Sequence, residues 1–460
     1  MAKTMKVTGK TLKKMGYKPG KWFKEALLHA NAHKLEGKAL KDYLDTVEPD
    51  YIVPRETALP YHKNIQADTA DEVANVDQVF ATMDVLMKTP TLVAGAVMPD
   101  ACPTGSIGQI PVGGVVAARD AIHPSMHSAD ICCSVMMTSF GDVSPKNVLD
   151  AAHRITHFGP GGREKAFAMP NDLHERIRSD YFLGDDQSLR LAKTHFGTQG
   201  DGNHFLFVGR SRNTGETMMV THHGSRGLGA NLYKKGMKTA EKYRREIASM
   251  VAPANAWIPY SEADGRRYWE SLQVVREWTK QNHTVIHQQT CEALGADPLL
   301  RFWNEHNFVF KDGDLFYHAK GATPLDDKFV PDSHEGLRLV PLNMREPVLI
   351  VKGATTATNL GFAPHGAGRN VSRSAHIRSQ GGRSVDAIFA EETAGLDVRF
   401  YAKHIDISEL PSAYKDAQSV QKQMREFGLG EVVDEIEPYG CIMAGDWQKD
   451  APWRRKKTKK

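Results

Sequence analysis

Cysteine is scarce in this 460-residue chain. Cys102, Cys132, Cys133, Cys291 and Cys441 are five in all, an odd number spread widely, which argues against a disulfide framework. No apolar run approaches the roughly 20 residues of a membrane helix. The basic amino terminus has no apolar core of about 7–15 residues, so no secretory signal is expected. Charge of one sign is nearly absent as an excess: 59 Lys+Arg face 55 Asp+Glu, a formal net charge of +4, too small to demand a polyanionic partner. No internal repeat is visible. A reducing, cytoplasmic setting and no membrane partner are therefore expected. In that setting a cysteine near histidines is a ligand or nucleophile before it is a cross-link.

The chain is 41% hydrophobic and 25% charged, the balance of an ordinary globular protein with a sizeable core. Its charge is uneven. Eight lysines, from Lys3 to Lys24, precede the first acidic residue, Glu25, and the chain ends on Arg454-Arg455-Lys456-Lys457-Thr458-Lys459-Lys460. Such ends suit either an RNA backbone or a solvated tail. Residues 1–90 are expected to be a basic, partly helical extension, 91–447 the main domain and 448–460 a basic tail. Helical spacing marks 71–87, 229–250, 265–294 and 414–427, and Ser144 is placed to cap a helix through 157. Short apolar runs between glycine turns predict strands at 92–98, 113–118, 134–140, 205–208, 218–220, 308–310, 315–318, 348–351, 398–401 and 432–433. The fold class expected is α+β, packed β-sheets surrounded by helices.

Histidine is plentiful, at 20 residues, and glycine numbers 39. Six stretches place ligand-type residues beside glycine or a strand. They are Asp130-Ile131-Cys132-Cys133, Gly202-Asn203-His204-Phe205, His222-His223-Gly224-Ser225-Arg226-Gly227, Glu305-His306-Asn307, His318-Ala319-Lys320-Gly321-Ala322 and Pro364-His365-Gly366-Ala367-Gly368-Arg369. Thiolate, imidazole and carboxylate together suit manganese, cobalt or zinc better than magnesium. Glycines allow backbone amides to approach a bound group, and arginine offers a planar fork for phosphate. The glycine-rich stretches match neither the P-loop nor the dinucleotide fingerprint. Any one cluster alone is a weak signal, since a lone histidine is more often structural. Six of one kind are not.

In order and number these stretches resemble the RtcB family of RNA ligases, over about residues 92–445. Met98-Pro99-Asp100 and Ala413-Tyr414-Lys415-Asp416 match further family elements. The resemblance implies an RtcB-like catalytic domain that joins an RNA 3′-phosphate or 2′,3′-cyclic phosphate to a 5′-hydroxyl, using GTP and two manganese ions. It implies that Cys133 bridges the ions, with His204 and His222 at one and Asp130 and His306 at the other. His365 would attack the α-phosphate of GTP and carry GMP. Asn203, Arg226, Lys320 and Arg369 would hold phosphates, and Tyr414 and Asn343 would belong to the nucleotide pocket.

The chain departs from the family pattern at defined places. Cys132 stands where glycine is usual, and Phe207 stands for the glutamate that reads the guanine edge. Asn343 replaces a serine, Met443 a lysine and Ala319 an arginine, and Ala101-Cys102-Pro103-Thr104 lacks the usual histidine and lysine. The ligand and nucleophile residues are kept while the base-reading ones are changed. Beside the GTP-dependent ligase stand a variant with altered nucleotide or RNA-end preference, a non-ligating metal-stabilised RNA-binding protein, and a metallohydrolase of cyclic phosphates. Retention of His365 favours nucleotidyl transfer, since neither metal binding nor hydrolysis needs a nucleophile there.

Overall fold

The computed structural model describes residues 6–449 apart from 21, 68, 403 and 448. Of the tail expected at 448–460 only Lys449 is among them, and Lys3 and Lys21 also lie outside. The architecture is α+β, as expected, and is built on two sheets. A five-stranded sheet runs, in spatial order, His62–Lys63, Leu92–Cys102, Val112–Arg119, Leu315–Lys320 and Asn307–Asp312. An eight-stranded sheet runs Arg338–Pro341, Val348–Lys352, Glu431–Met443, Phe205–Ser211, Thr217–His223, Ser134–Ser139 and Leu300–Glu305, with Asp397–Phe400 pairing parallel to the end of Glu431–Met443. The chain passes from the second sheet to the first at a single residue, His306.

Period-2 alternation decides which side chains each face presents. Leu206 and Val208 turn to one side of the eight-stranded sheet, where they pack with Val148, Leu149 and Ile286. Phe207, Val220, Cys441 and Met443 turn to the other, with Val135 and Met137. Helix Ala263–Leu294 backs the core with Tyr268, Leu272, Val275 and Trp278, all fully buried. It stops at Gly295, whose φ of +61° is the left-handed cap that glycine adopts without strain. The five-stranded sheet is covered on one side by helix Ala70–Leu86, through Val76, Val79, Met83 and Leu86 against Val97 and Val116. Helices Gly9–Lys14, Trp22–Ala32 and Gly37–Val47 form a separate small core around Leu12, Ala30 and Leu44.

Most boundaries expected from the sequence are met within a few residues, and the exceptions have physical causes. The helix expected from 414 begins at Ala417, because Asp416 caps it by accepting the amide of Ser419 at 2.7 Å, which leaves Tyr414 extended. Ser144 holds the cap position of helix Pro145–Ile155, yet its hydroxyl makes no cap hydrogen bond. The strand expected at 432–433 runs thirteen residues, Glu431–Met443, with a register shift between Pro438 and Gly440 that hid its period. Helices Asn171–Ser179 and Asp186–Thr194 were not foreseen, being short and polar. Among the described residues no helix is long and apolar enough to cross a membrane. All five cysteines are unpaired.

Candidate metal and nucleotidyl-transfer site

Strand ends at the junction of the two sheets converge on one place. Cys133 immediately precedes Ser134–Ser139, His204 precedes Phe205–Ser211, and His222 lies at the end of Thr217–His223, opposite Val135 and Phe205. The Asp130–Cys133 turn is pinned to the crossing point between the sheets. Cys132 donates its amide to Asn307 O at 2.7 Å, and Cys133 O accepts from the amide of His306 at 2.9 Å. His365 follows strand Phe362–Pro364, which pairs with Ala322–Pro324, so its ring comes to lie 4.9 Å from that of His306.

The five expected ligands are brought together, in two triads that share Cys133. Asp130, Cys133 and His204 form one and Cys133, His222 and His306 the other, the ligand atoms of each lying within 4.8 Å of one another. Cys133 Sγ is 3.6 Å from His204 Nε2 and 3.2 Å from His222 Nε2. His204 Nε2 is 3.1 Å from Asp130 Oδ2, and His222 Nε2 is 3.2 Å from His306 Nε2. By distance alone His204 groups with Asp130 and His222 with His306, whereas the resemblance implies His204 with His222 and Asp130 with His306; Cys133 Sγ lies near both His204 and His222, at 3.6 and 3.2 Å. Strand register is the reason. His204 lies beside the Asp130 turn, whereas His222, opposite Phe205 and Val135, lies beside the crossover at His306.

The outer ring nitrogens fix which atoms face inward. His204 Nδ1 donates to Gln199 O at 2.7 Å and His222 Nδ1 donates to Asn203 O at 3.1 Å, so each Nε2 carries a lone pair into the cluster. Burial, with His204 beside it, pushes His222 down to about 3, and burial holds His306 well below its ordinary value. Burial, then the Asp130 charge, pushes the Cys133 thiol well above its ordinary value. Neutral imidazoles with facing lone pairs, a charged carboxylate and a buried sulfur lack a positive centre. The donor set fits divalent cations that accept mixed sulfur, nitrogen and oxygen ligands, and Cys133 is common to both triads.

His365 is held by Asp100, which is fully buried. Its Nδ1 donates to Asp100 Oδ2 at 2.5 Å, and its amide donates to the same oxygen at 3.1 Å. The bond orients the ring and places a proton on Nδ1, which in a neutral imidazole leaves the lone pair on Nε2, facing the cavity. The turn depends on glycine at Gly368: φ is +72°, and a Cβ would lie 2.0 Å from Asp100 O. Asp100 belongs to the quoted Met98-Pro99-Asp100 triplet, but sequence reasoning gave it no role. The available signal was a lone carboxylate inside the apolar strand Leu92–Cys102. Lys415 was passed over in the same way; its ammonium donates to Pro99 O and Ala101 O, at 3.1 and 2.7 Å, and clamps the residues on either side of Asp100.

A cavity of about 1060 Å³ opens over this cluster. Asp130, Cys133, His222, His306 and His365 line it, as do Asn203, Lys320, Arg369, Tyr414 and Asn343. Burial pushes Lys320 down to about 8, and its ammonium donates to Thr104 Oγ1 at 2.6 Å. Arg369 lies over the Tyr414 ring and donates to Glu409 Oε2 at 2.7 Å and to Ser408 O at 2.6 Å. Two expected residues stand off the wall. His204 lies behind Asp130, and Arg226 lies behind His204, donating to Gly159 O at 2.7 Å and Thr198 Oγ1 at 3.1 Å. Glu409, the carboxylate that gathers Arg369, Arg373 and Tyr414, was missed: nothing in Ile407-Ser408-Glu409 marks it before folding.

Comparison with known proteins places this site in a family. The family model described as tRNA-splicing ligase RtcB matches residues 179–444, a span that contains His204, His222, His306 and His365 but begins after Asp130 and Cys133. The tRNA-splicing ligase RtcB of Aeropyrum pernix is 25% identical over 325 residues, covering 60% of this chain and 66% of that protein. The tRNA-splicing ligase RtcB of Pyrococcus abyssi is 27% identical over 295 residues, 53% of this chain and 31% of that protein. The RNA-splicing ligase RtcB of Mycobacterium tuberculosis is 27% identical over 293 residues, 56% of this chain and 66% of that protein. The matched stretch thus spans just under two thirds of the first and third relatives and about a third of the second.

Proposed function

The chain belongs to the RtcB family, and on that premise we propose that it is an RNA ligase that joins 3′-phosphate or 2′,3′-cyclic phosphate ends to 5′-hydroxyl ends, in tRNA splicing or RNA repair, in the cytoplasm. GTP is the nucleotide the family resemblance brings with it. The observation that carries the reading is the pair His365–Asp100 set beside the two triads: a histidine whose proton is fixed on Nδ1 faces a cavity walled by metal ligands. Bound there, two divalent ions, manganese first, would polarise the α-phosphate and balance the charge of the leaving pyrophosphate.

The residues divide the work as follows. His365 Nε2 attacks the α-phosphorus; the N–P bond forms, the bond to the β-phosphate oxygen breaks, and pyrophosphate leaves. Asp100 keeps the ring oriented and stabilises the cationic imidazole that results. An RNA 3′-phosphate oxygen then takes the GMP from His365. The 5′-hydroxyl of the second strand attacks that activated phosphorus, loses its proton and releases GMP. A cyclic end must first be opened by water. Lys320, Asn203 and Arg369 face the cavity where these phosphates would pass, and Arg226 adds positive charge from behind His204. Tyr414 and Asn343 border the nucleotide.

The test is covalent labelling with manganese and α-labelled GTP or ATP. A protein-bound nucleotide is expected, lost in His365→Ala while the metal is retained, and Cys133→Ala is expected to bind less metal. No adduct with any nucleotide would sink the ligase reading. An adduct that survives in His365→Ala would mean the nucleophile lies elsewhere.

A further inference from the structure

Past His365 the chain leaves the cavity wall as an exposed strip of one charge sign. No Asp or Glu occurs between Glu346 and Asp386, while Arg369, Arg373, Arg378 and Arg383 follow one another at intervals of four or five residues. Residues 371–374, 377–379 and 381–384 are exposed. The strip starts inside the site, since Arg369, Arg373 and Ser374 line the cavity. Ser374 lies on helix Arg373–Ser379, and Arg378 stands on the same face one turn further on. That turn carries the charge about 6 Å along the helix axis. Arg383 follows in the turn beyond the helix, its amide donating to Gln380 O at 3.2 Å. Arg373 also approaches Gly202, the neighbour of the cavity residue Asn203: a Cβ at Gly202 would lie 3.9 Å from Arg373 Nη2.

The guanidinium groups are held without being covered. Glu409, its side chain 1% exposed, accepts from Arg369 Nη2 and Arg373 Nε, each at 2.7 Å, yet the Arg373 side chain is still 49% exposed. One buried carboxylate beneath two arginines leaves positive charge in excess at the wall. Arg378 has no ion-pair partner among the described residues. Arg383 pairs with Glu391, but both are exposed, and water and salt weaken such a pair. Glu392 is engaged elsewhere, accepting from the Ser412 amide and hydroxyl at 2.8 and 2.7 Å. Arginines in this arrangement suit the oxygens of successive phosphates. Contacts of that kind position a strand and carry no base sequence.

We propose that this strip is the track of the RNA strand whose end reacts in the cavity, with backbone phosphates lying along Arg373, Arg378 and Arg383 and no dependence on base sequence. The proposal rests on the ligase reading above and says where its RNA lies. The lysines before Glu25 make a second basic stretch, but those described belong to the small core around Leu12, Ala30 and Leu44, and none lines the cavity. Only the arginine strip is continuous with the site.

The experiment follows fluorescence anisotropy of a 5′-fluorescein oligouridylate with a 3′-phosphate, bound to the full chain as monovalent salt is raised. Arg378→Gln with Arg383→Gln removes two phosphate contacts at exposed positions. The slope of log K against log salt is expected to become shallower by about 1.4, so that affinity falls about 25-fold at about 0.1 M salt and the two proteins converge near about 1 M. Arg378→Gln alone, which breaks no ion pair, is expected to show half that change of slope, about 0.7. An oligonucleotide of mixed sequence is expected to lose the same factor. Arg154→Gln with Arg176→Gln, at exposed positions outside the strip, is expected to bind like the unaltered protein. Unchanged affinity and slope in the strip variants, an equal loss in the Arg154 and Arg176 variant, or no binding by the unaltered protein would each overturn the proposal. Covalent labelling by α-labelled GTP and manganese, run without RNA, reads the ligase proposal separately. An adduct with undiminished RNA affinity in the strip variants refutes the track alone, and loss of RNA affinity in a protein that takes no adduct keeps the track and removes the ligase reading.

Discussion

A methyl group at Gly224 would stand 2.0 Å from Asp130 Oδ1. Asp130 Oδ2, the oxygen 3.1 Å from His204, would lie only 2.9 Å from the same methyl, so the whole carboxylate must shift. Gly224→Ala is expected to weaken metal binding by about tenfold or more with the fold kept, read as metal per chain after dialysis; full metal content would show that Asp130 is not a ligand. Asp100 acts through His365. Asp100→Asn keeps the shape but no longer fixes the imidazole tautomer, so nucleotide-adduct turnover is expected to fall about 100-fold with KM for the nucleotide and metal content little changed. A drop confined to KM would make Asp100 a binding residue instead. Cys132 shows a residue-scale tension: its φ is +57°, a region where L side chains are strained, at the position where family resemblance expects glycine. There the thiol is fully buried beside Glu305 and Arg276, and no proposed ligand set includes it.

Elements set limits on what can be removed. Helices Gly9–Lys14, Trp22–Ala32 and Gly37–Val47 bury their apolar residues against one another, around Leu12, Ala30 and Leu44. Helix Ala70–Leu86 instead buries Val79, Met83 and Leu86 against the five-stranded sheet, and strand His62–Lys63 pairs with Leu92–Cys102. We propose that the extension expected over residues 1–90 divides near residue 50, the first part self-contained and the second part of the main body. A chain beginning at residue 51 is expected to melt within about 5 °C of the full chain, and one beginning at residue 91 to be largely unfolded, since it strips several fully buried side chains from one core. Equal melting of the two truncations would refute the division. Helix Ala263–Leu294 carries a different constraint. Its Arg276 pairs with Glu305, which is fully buried next to the candidate ligand His306. The long helix thus also neutralises a charge behind the candidate metal site.

The whole molecule keeps several histidines neutral in its core. Burial pushes His123 down to about 3 and His127 to about 4, and His318 well below its ordinary value. His123 is fully bonded as a neutral ring, its Nδ1 donating to Asn255 O at 3.1 Å and its Nε2 accepting from the Thr91 hydroxyl at 2.8 Å. These folded values lie below the unfolded one of about 6.5. Above pH 6.5 both states are neutral and the contribution to stability is complete. As pH falls below that value the unfolded chain takes up protons that the folded chain refuses, so stability declines toward pH 3–4, where His123 and His127 titrate in place. The melting temperature is expected to drop by about 5 °C between pH 7 and pH 5; a flat profile over that interval would contradict neutral buried histidines.

Local spacing was enough to determine several things. The α+β class, most strands and the long helices follow from periodicity, which backbone geometry imposes on any chain that must bury one face. The residues of the proposed centre were legible because six short stretches, taken in order, resemble those of a known family, a pattern that survives in one dimension. The distances among those residues were not. His204 and His222 are adjacent across a strand pair, yet they fall into different triads because one faces the Asp130 turn and the other the crossover at His306. Asp100 and Glu409 could not be assigned either, since their partners His365 and Arg369 lie 265 and 40 residues away along the chain. Pairings of that kind are made by sheet register and by the meeting of two sheets, and only the folded chain contains them.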